Sequence, residues 1–231
     1  MLVFMSMSLG MFGAYLAGPP LAGALGLDIE FVAQVLGFLS MQGLALLWIT
    51  LFLGEQNLTW TQAFGLGRKP GRSVKLAGLT MLLVIPFTLF VLGGAIALLY
   101  KLFGFTPEAQ VTVSFIQRDP PAWQLAVMAF TATVLAPVAE EALFRGVLYT
   151  TLKQQGFHRA AFWGTSLLFA AIHMNIQAFI PLLFLALVWT WLYERTGNLL
   201  APIAAHVIFN AVNFTALVMD LPEWLEKTVN G

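Results

Sequence analysis

Apolar runs of about twenty residues, separated by short polar breaks, recur along the whole chain. They fall at roughly 2–26, 31–53, 74–103, 122–150, 159–175, 177–193 and 199–219. A helix needs about 20 apolar residues to cross the hydrocarbon core of a bilayer, so the pattern predicts about seven spans. The breaks carry water-facing turn chemistry: Glu55-Gln56-Asn57, the basic segment 67–72, and the polar stretches 106–121, 153–158 and 194–198. Between His173 and Pro181 there is no charge at all, which predicts a very short turn or a re-entrant corner at Met174 to Gln177.

Composition strengthens this picture. The 231 residues are 59% hydrophobic and 10% charged, against about a quarter charged in soluble domains, and the mean hydropathy is +0.84. The expected fold class is all-α, a polytopic transmembrane helical bundle of about seven spans forming one cooperative unit. The first stretch has no basic n-region and runs through Gly18-Pro19-Pro20, so it reads as a broken first span rather than a cleavable signal. Alternating crossings from a cytoplasmic amino terminus gather Arg68, Lys69, Arg72, Lys75, Arg145, Lys153, Arg159 and Arg195 on the inside, eight of eleven basic residues. That bias predicts a cytoplasmic amino terminus and an outside carboxyl terminus. The formal net charge is zero and no basic cluster is interleaved with aromatics, so a nucleic-acid partner has no electrostatic footprint. Without cysteine there are no disulfides, thiolate metal sites or cysteine nucleophile.

Two acids lie inside an apolar run: Glu140 and Glu141, within 134–148. Ionisable groups at that depth are costly, face an interior or a water-filled cavity, and mark function by default. Glu141 and Arg145 stand four apart with the acid nearer the amino end, the favourable order for a helical ion pair. The bland reading of that pair is a helix end at the cytoplasmic interface with Arg145 snorkelling to the headgroups. Glu140 points about 100° away from the pair, towards a separate role. His173 and His206 both lie in apolar runs, whereas His158 sits in a loop. Asn210 and Asn213 follow His206 by four and seven, a polar stripe along one face of the last helix. Such residues line a water-containing cavity, or else act as interhelical glue of about 1 kcal/mol per hydrogen bond.

The chain has no HExxH, GxGD or GxSxG, so the zincin, presenilin-like and serine-elbow mechanisms lack their parts. Ser166, seven before His173, leaves a serine-histidine alternative beside a plain packing role. A carboxylate shielded from bulk water is a competent base, so Glu140 can deprotonate a water that His173 orients. His206 and Asn210 can supply two donors to an oxyanion from one helix face. At 1.5 Å per residue from cytoplasmic ends near 148 and 198, Glu140 and His206 lie about 12 Å deep. His173, counted from residue 160, comes out nearer 20 Å.

Glu140-Glu141-Ala-Leu-Phe-Arg145 fits EExxxR, Phe169 to His173 fits FxxxH, and His206 to Asn210 fits HxxxN, in that order on successive helices. In these motifs the chain resembles the CPBP intramembrane proteases, also called the Abi or type II CAAX prenyl protease family. Gly197-Asn198-Leu199, leading through Ile203-Ala204-Ala205 to His206, also looks like that family's approach to its last motif. The resemblance covers roughly 121–215. It implies an all-helical fold with a polar cavity open to the cytoplasmic side, and endopeptidase action without a covalent intermediate. It further implies Glu140 as the catalytic acid-base group, His173 on the water, His206 and Asn210 at the oxyanion, and Glu141 and Arg145 in support. On this reading the chain divides into 1–118, helices without motif; 119–219, the catalytic core; and 220–231, a short polar tail.

The expected activity is hydrolysis of a peptide bond in a membrane-associated peptide or protein, prenylated CAAX-type or otherwise, by an integral protein of the bacterial inner membrane. The family is often labelled metalloprotease, and two His with one Glu is a familiar zinc set, so a divalent ion on Glu140, His173 and His206 competes with the metal-free scheme. Two further classes stand as alternatives: a membrane cytochrome with His173 and His206 as axial haem ligands, and a catalytically silent binding or immunity module.

Overall fold

A computed structural model describes residues 2–104 and 115–219, the side chains of 2–7 and 100 excepted. Every one of the seven apolar stretches is helical. We number the helices α1 (Leu2–Leu25), α2 (Ile29–Glu55), α3 (Trp60–Phe64), α4 (Pro70–Phe103), α5 (Ala122–Gln154), α6 (Ala160–Ile172), α7 (Ile176–Thr196) and α8 (Leu200–Val218). Among the described residues there is no β-strand. Five of these helices, α2, α4, α5, α7 and α8, are long and apolar enough to cross a bilayer, and the chain is an integral membrane protein. Helix α6 is shorter: its thirteen residues rise about 20 Å. The tail at 220–231 and most of the 106–121 break lie outside the described residues.

The helix ends follow from local chemistry. Asp28 caps α2 by accepting from the amides of Glu30 and Phe31, at 2.8 and 3.1 Å. Thr59 and Gln62 close a reciprocal capping box on α3. Asn175 caps α7 through a 2.9 Å bond from the Ala178 amide, and Met174 beside it takes a φ of 50°. The predicted short corner after His173 is therefore only two residues long.

The residues group into two compact units, each drawing on separate stretches of chain. The first takes in the described parts of Met1–Ile49, Ala109–Ala139 and Phe209–Gly231; the second those of Thr50–Glu108 and Glu140–Ile208. Helices α2, α5 and α8 each contribute to both units. The core of the first unit is Ala22, Phe31, Val32, Phe115 and Met128, with Trp123 edge-on to Phe31 at 5.2 Å. Arg118 bonds Glu30 at 2.7 Å at its exposed rim. The second unit packs around Met81, Phe144, Phe169, Leu185, Trp189 and Leu192, all buried.

One crossing in the second unit sets the start of α8. Gly65 (φ 65°) and Gly197 (φ 59°) lie back to back, so a Cβ on Gly65 would stand 2.1 Å from the Gly197 carbonyl oxygen. The Leu199 amide donates to the Phe64 carbonyl at 3.0 Å. Fully buried Asn198 donates from Nδ2 to the Arg68 carbonyl at 2.7 Å and accepts the Leu200 amide at 2.9 Å. Gly65→Ala is expected to destabilise the protein by more than the roughly 1–2 kcal/mol of left-handed strain alone, because the clash is with backbone. Thermal unfolding in detergent, compared with Gly13→Ala where the added Cβ meets nothing, checks this.

Candidate active site

Helix α5 holds both glutamates between two π-helical segments, Thr131–Leu135 and Ala142–Tyr149. Such wide turns are rare and recur at functional sites, because they re-aim side chains that a regular helix would stack. Within the second unit the two adjacent carboxylates have different surroundings. The Glu141 side chain is 0% exposed and that of Glu140 is 21% exposed, so Glu140 is the one a reactant can reach.

Glu141 is the hub of a buried polar chain. Its Oε1 accepts from Arg145 Nη1 at 2.9 Å and from His206 Nδ1 at 2.9 Å. Arg145, 1% exposed, donates also from Nη2 to the Ala186 carbonyl at 2.8 Å and from Nε to Thr190 Oγ1 at 3.3 Å. Its guanidinium lies 4.9 Å from the centroid of Phe169 and 5.5 Å from that of Trp189. Arg145 therefore does not snorkel. The wide turns of α5 and the polar notch offered by α7 hold it inside, where the ion pair and two further bonds satisfy it.

His206 is fixed on three sides. Its ring stacks on Trp189 at 3.8 Å with 17° between planes, and Phe169 meets it edge-on at 6.0 Å. Because a carboxylate only accepts, the Nδ1–H points to Glu141, which leaves Nε2 facing Glu140 Oε2 at 3.9 Å. That separation is too long for a direct hydrogen bond and suits one bridging water at about 2.8 Å from each.

His173 ends α6, and its Nδ1 donates to the Phe169 carbonyl at 2.7 Å. A carbonyl also only accepts, so the neutral ring presents Nε2 as a lone pair. Phe169 is the shared neighbour of both histidines, 4.7 Å from His173 and 6.0 Å from His206. Helix α6, about 20 Å long, stops there.

The structure thus brings Glu140, Glu141, Arg145 and His206 together, with His173 joined through Phe169. Asn210 falls in the first unit, where its Nδ2 donates to the Ala132 carbonyl at 2.9 Å. Asn213 donates to the Phe209 carbonyl of its own helix at 2.9 Å. Ser166 is a packing residue, donating to the Phe162 carbonyl at 2.8 Å and lying 3.3 Å from Thr190 Oγ1. Sequence reasoning did not single out Trp189 or Thr190. The spacing of Ala186, Trp189 and Thr190 puts a threonine beside a small residue on one face of an apolar helix, the signal that could have found them.

Two cofactor fits can be judged from these side chains. Among the described residues no three His, Asp or Glu groups are gathered as a metal-binding set. On the haem alternative, the His206 ring nitrogen not committed to Glu141, Nε2, lies 3.9 Å from the Glu140 carboxylate.

Fold and site together define a helical integral membrane protein with a buried carboxylate-histidine centre. Residues 122–212, the segment that carries all three motifs, match the model of the type II CAAX prenyl endopeptidase Rce1-like family. Among curated proteins the chain is similar to the “Uncharacterized protein YpbD” of Bacillus subtilis, 39% identical over 35% of this chain and 40% of that protein. It is also similar to the “Putative membrane peptidase YdiL” of the same organism, 26% identical over 60% of this chain and 56% of the relative. A third relative is the “UPF0177 protein YxdF” of Lactococcus lactis, 27% identical over 36% of this chain and 46% of that protein. The chain spans about half the length of the curated relatives it matches. No solved structure matches it.

Proposed function

We infer that the protein is an intramembrane endopeptidase that hydrolyses a membrane-associated peptide with a glutamate-activated water. The observation that carries this reading is the asymmetry of the glutamate pair: Glu141 is sealed between Arg145 and His206, while its neighbour Glu140 is reachable and faces His206 Nε2 at 3.9 Å.

In the proposed reaction Glu140 takes a proton from a water held with the Nε2 lone pair of His173, and the water oxygen bonds to the scissile carbonyl carbon. The carbonyl oxygen becomes an oxyanion. His206 can donate to it only when Nε2 carries the second proton, because Nδ1–H is committed to Glu141. As the C–N bond breaks, Glu140 returns its proton to the leaving nitrogen. A role for Asn210 as a second donor rests on its spacing one turn beyond His206 along α8.

Reconstituted protein should release a fragment, identified by mass spectrometry, from peptides tethered to liposomes, prenylated and unprenylated. Failure to cleave any tethered peptide would count against the assignment. Glu141→Gln tests the positioning role: a carboxamide still accepts from His206 Nδ1 but no longer balances the imidazolium charge, so in the protein that stays folded despite the stranded Arg145, kcat should fall by about 10²-fold with KM nearly unchanged. Cleavage that persists in chelator places the chemistry on these side chains, whereas loss restored by zinc would move it to a metal. By family and charge bias the protein acts in the bacterial inner membrane with its amino terminus inside.

A further inference from the structure

A second feature, outside the glutamate-histidine centre, carries no assignment from the motifs. Within the second unit, the start of α4 and the end of α7 border an open cavity of about 900 Å³ whose lining includes Arg68, Lys69, Arg72, Lys75, Arg195 and Leu79. Five of the chain's eleven basic residues meet at this one hollow. Among the described residues no acidic side chain pairs with any of them: the neighbouring Glu194 is taken by Lys153 at 2.8 Å. All five are solvent-exposed, and an anion seated among them would relieve the mutual repulsion that water screens only in part.

The backbone is arranged in the same sense. Lys69 takes a left-handed φ of 43°, unusual for a side chain of its length, and stands at the cap of α4 with no side-chain hydrogen bond to it. Pro70 follows at the first helical position, so the helix presents its positive end to the cavity without a capping carboxylate. Arg68 is held over the Gly65–Gly197 crossing, its Nη1 3.3 Å from where a Gly197 Cβ would be. Below the cations the same face of α4 becomes apolar: Leu76 and Leu79 line the cavity, and Leu83, one turn further on, is 78% exposed.

A cationic hollow continuous with an exposed leucine stripe fits an amphiphile with an anionic head. We propose that this cavity binds the phosphate-bearing headgroup of an anionic phospholipid, with an acyl chain lying along Leu76, Leu79 and Leu83 of α4. The bound lipid would tie the loop before α4 to the end of α7, the same crossing that Asn198 uses to start the helix carrying His206. The assignment does not depend on the peptidase reading.

Native mass spectrometry of the full chain in detergent tests this, with phosphatidylglycerol, phosphatidylcholine or inorganic phosphate added. Phosphatidylglycerol should be retained in clear preference to phosphatidylcholine. The variant Arg68→Gln, Arg72→Gln, Lys75→Gln, Arg195→Gln should lower that retention by at least about tenfold, since each basic group near an anionic lipid surface contributes roughly a fivefold gain. Lys101→Gln with Arg159→Gln, which removes cations elsewhere, should leave the preference intact. Should the fourfold variant lose helix content by circular dichroism, Arg72→Gln with Arg195→Gln makes the same comparison. Equal retention of the two lipids, an unchanged preference in the cavity variants, or an equal loss in the remote variant would overturn the proposal. Displacement of phosphatidylglycerol by millimolar inorganic phosphate would also overturn it, assigning the cavity to a free anion.

Discussion

Glu140→Gln is expected to abolish peptide cleavage, with a loss of about 10³-fold or more, while expression, helix content and thermal unfolding stay close to those of the parent. The size follows from the role proposed for it: an amide cannot accept the water's proton, and general-base catalysis contributes roughly 10²–10⁴-fold. The benign effect on folding follows from geometry. Glu140 is 21% exposed, and the buried chain from Arg145 to His206 runs through its neighbour. Single-turnover cleavage of a liposome-tethered peptide, with substrate binding measured separately, checks both halves. A variant that binds substrate and cleaves it at the parental rate would remove Glu140 from the mechanism.

Arg145→Met is the complementary case, a loss of fold rather than of chemistry. Removing one member of a buried ion pair leaves the other charged in a low-dielectric interior, which costs about 3–5 kcal/mol. Here Glu141 would keep only His206, while the Ala186 carbonyl and Thr190 hydroxyl would lose a donor. Methionine keeps much of the bulk against Phe169 and Trp189, so the loss reports charge and hydrogen bonding. The expected result is a large drop in unfolding temperature in detergent. Arg145→Met combined with Glu141→Gln should recover part of it, because the stranded charge is gone. No recovery in the double variant would mean that the two residues are not energetically coupled.

Much of this was legible in the chain. Hydropathy located all seven helical stretches, because a bilayer demands long apolar runs and penalises breaks anywhere but at water-facing turns. The missing charge between His173 and Pro181 foretold the two-residue corner at Met174 and Asn175. The cost of placing Glu140, Glu141, His173 and His206 within apolar runs singled these residues out before any geometry was known. Other features had no local signal. The π-helical turns around the glutamates depend on tertiary packing, and they are why Arg145 turns inward to Thr190 and Ala186 instead of out to the headgroups. Glu141 looked like the partner of Arg145 alone, since its bond to His206 joins residues 65 positions apart. Trp189 reads as one more apolar residue in α7 until its ring is found against His206. Asn210 shares a helix face with His206, but face alone did not predict which carbonyl its amide would meet.

The short sixth helix has a consequence for the surrounding lipid. Helices α6 and α7 leave a common corner, yet α6 has thirteen residues and α7 has 21. Measured from that corner, the amino end of α6 falls about 12 Å short of the carboxyl end of α7, more than a third of the ~30 Å hydrocarbon thickness. A bilayer meets a step of that size by tilting of the helices or by local thinning, here beside the 155–159 connection. On the peptidase reading, a leaflet thinned there would shorten the path of an extended peptide, and of water, from the aqueous phase.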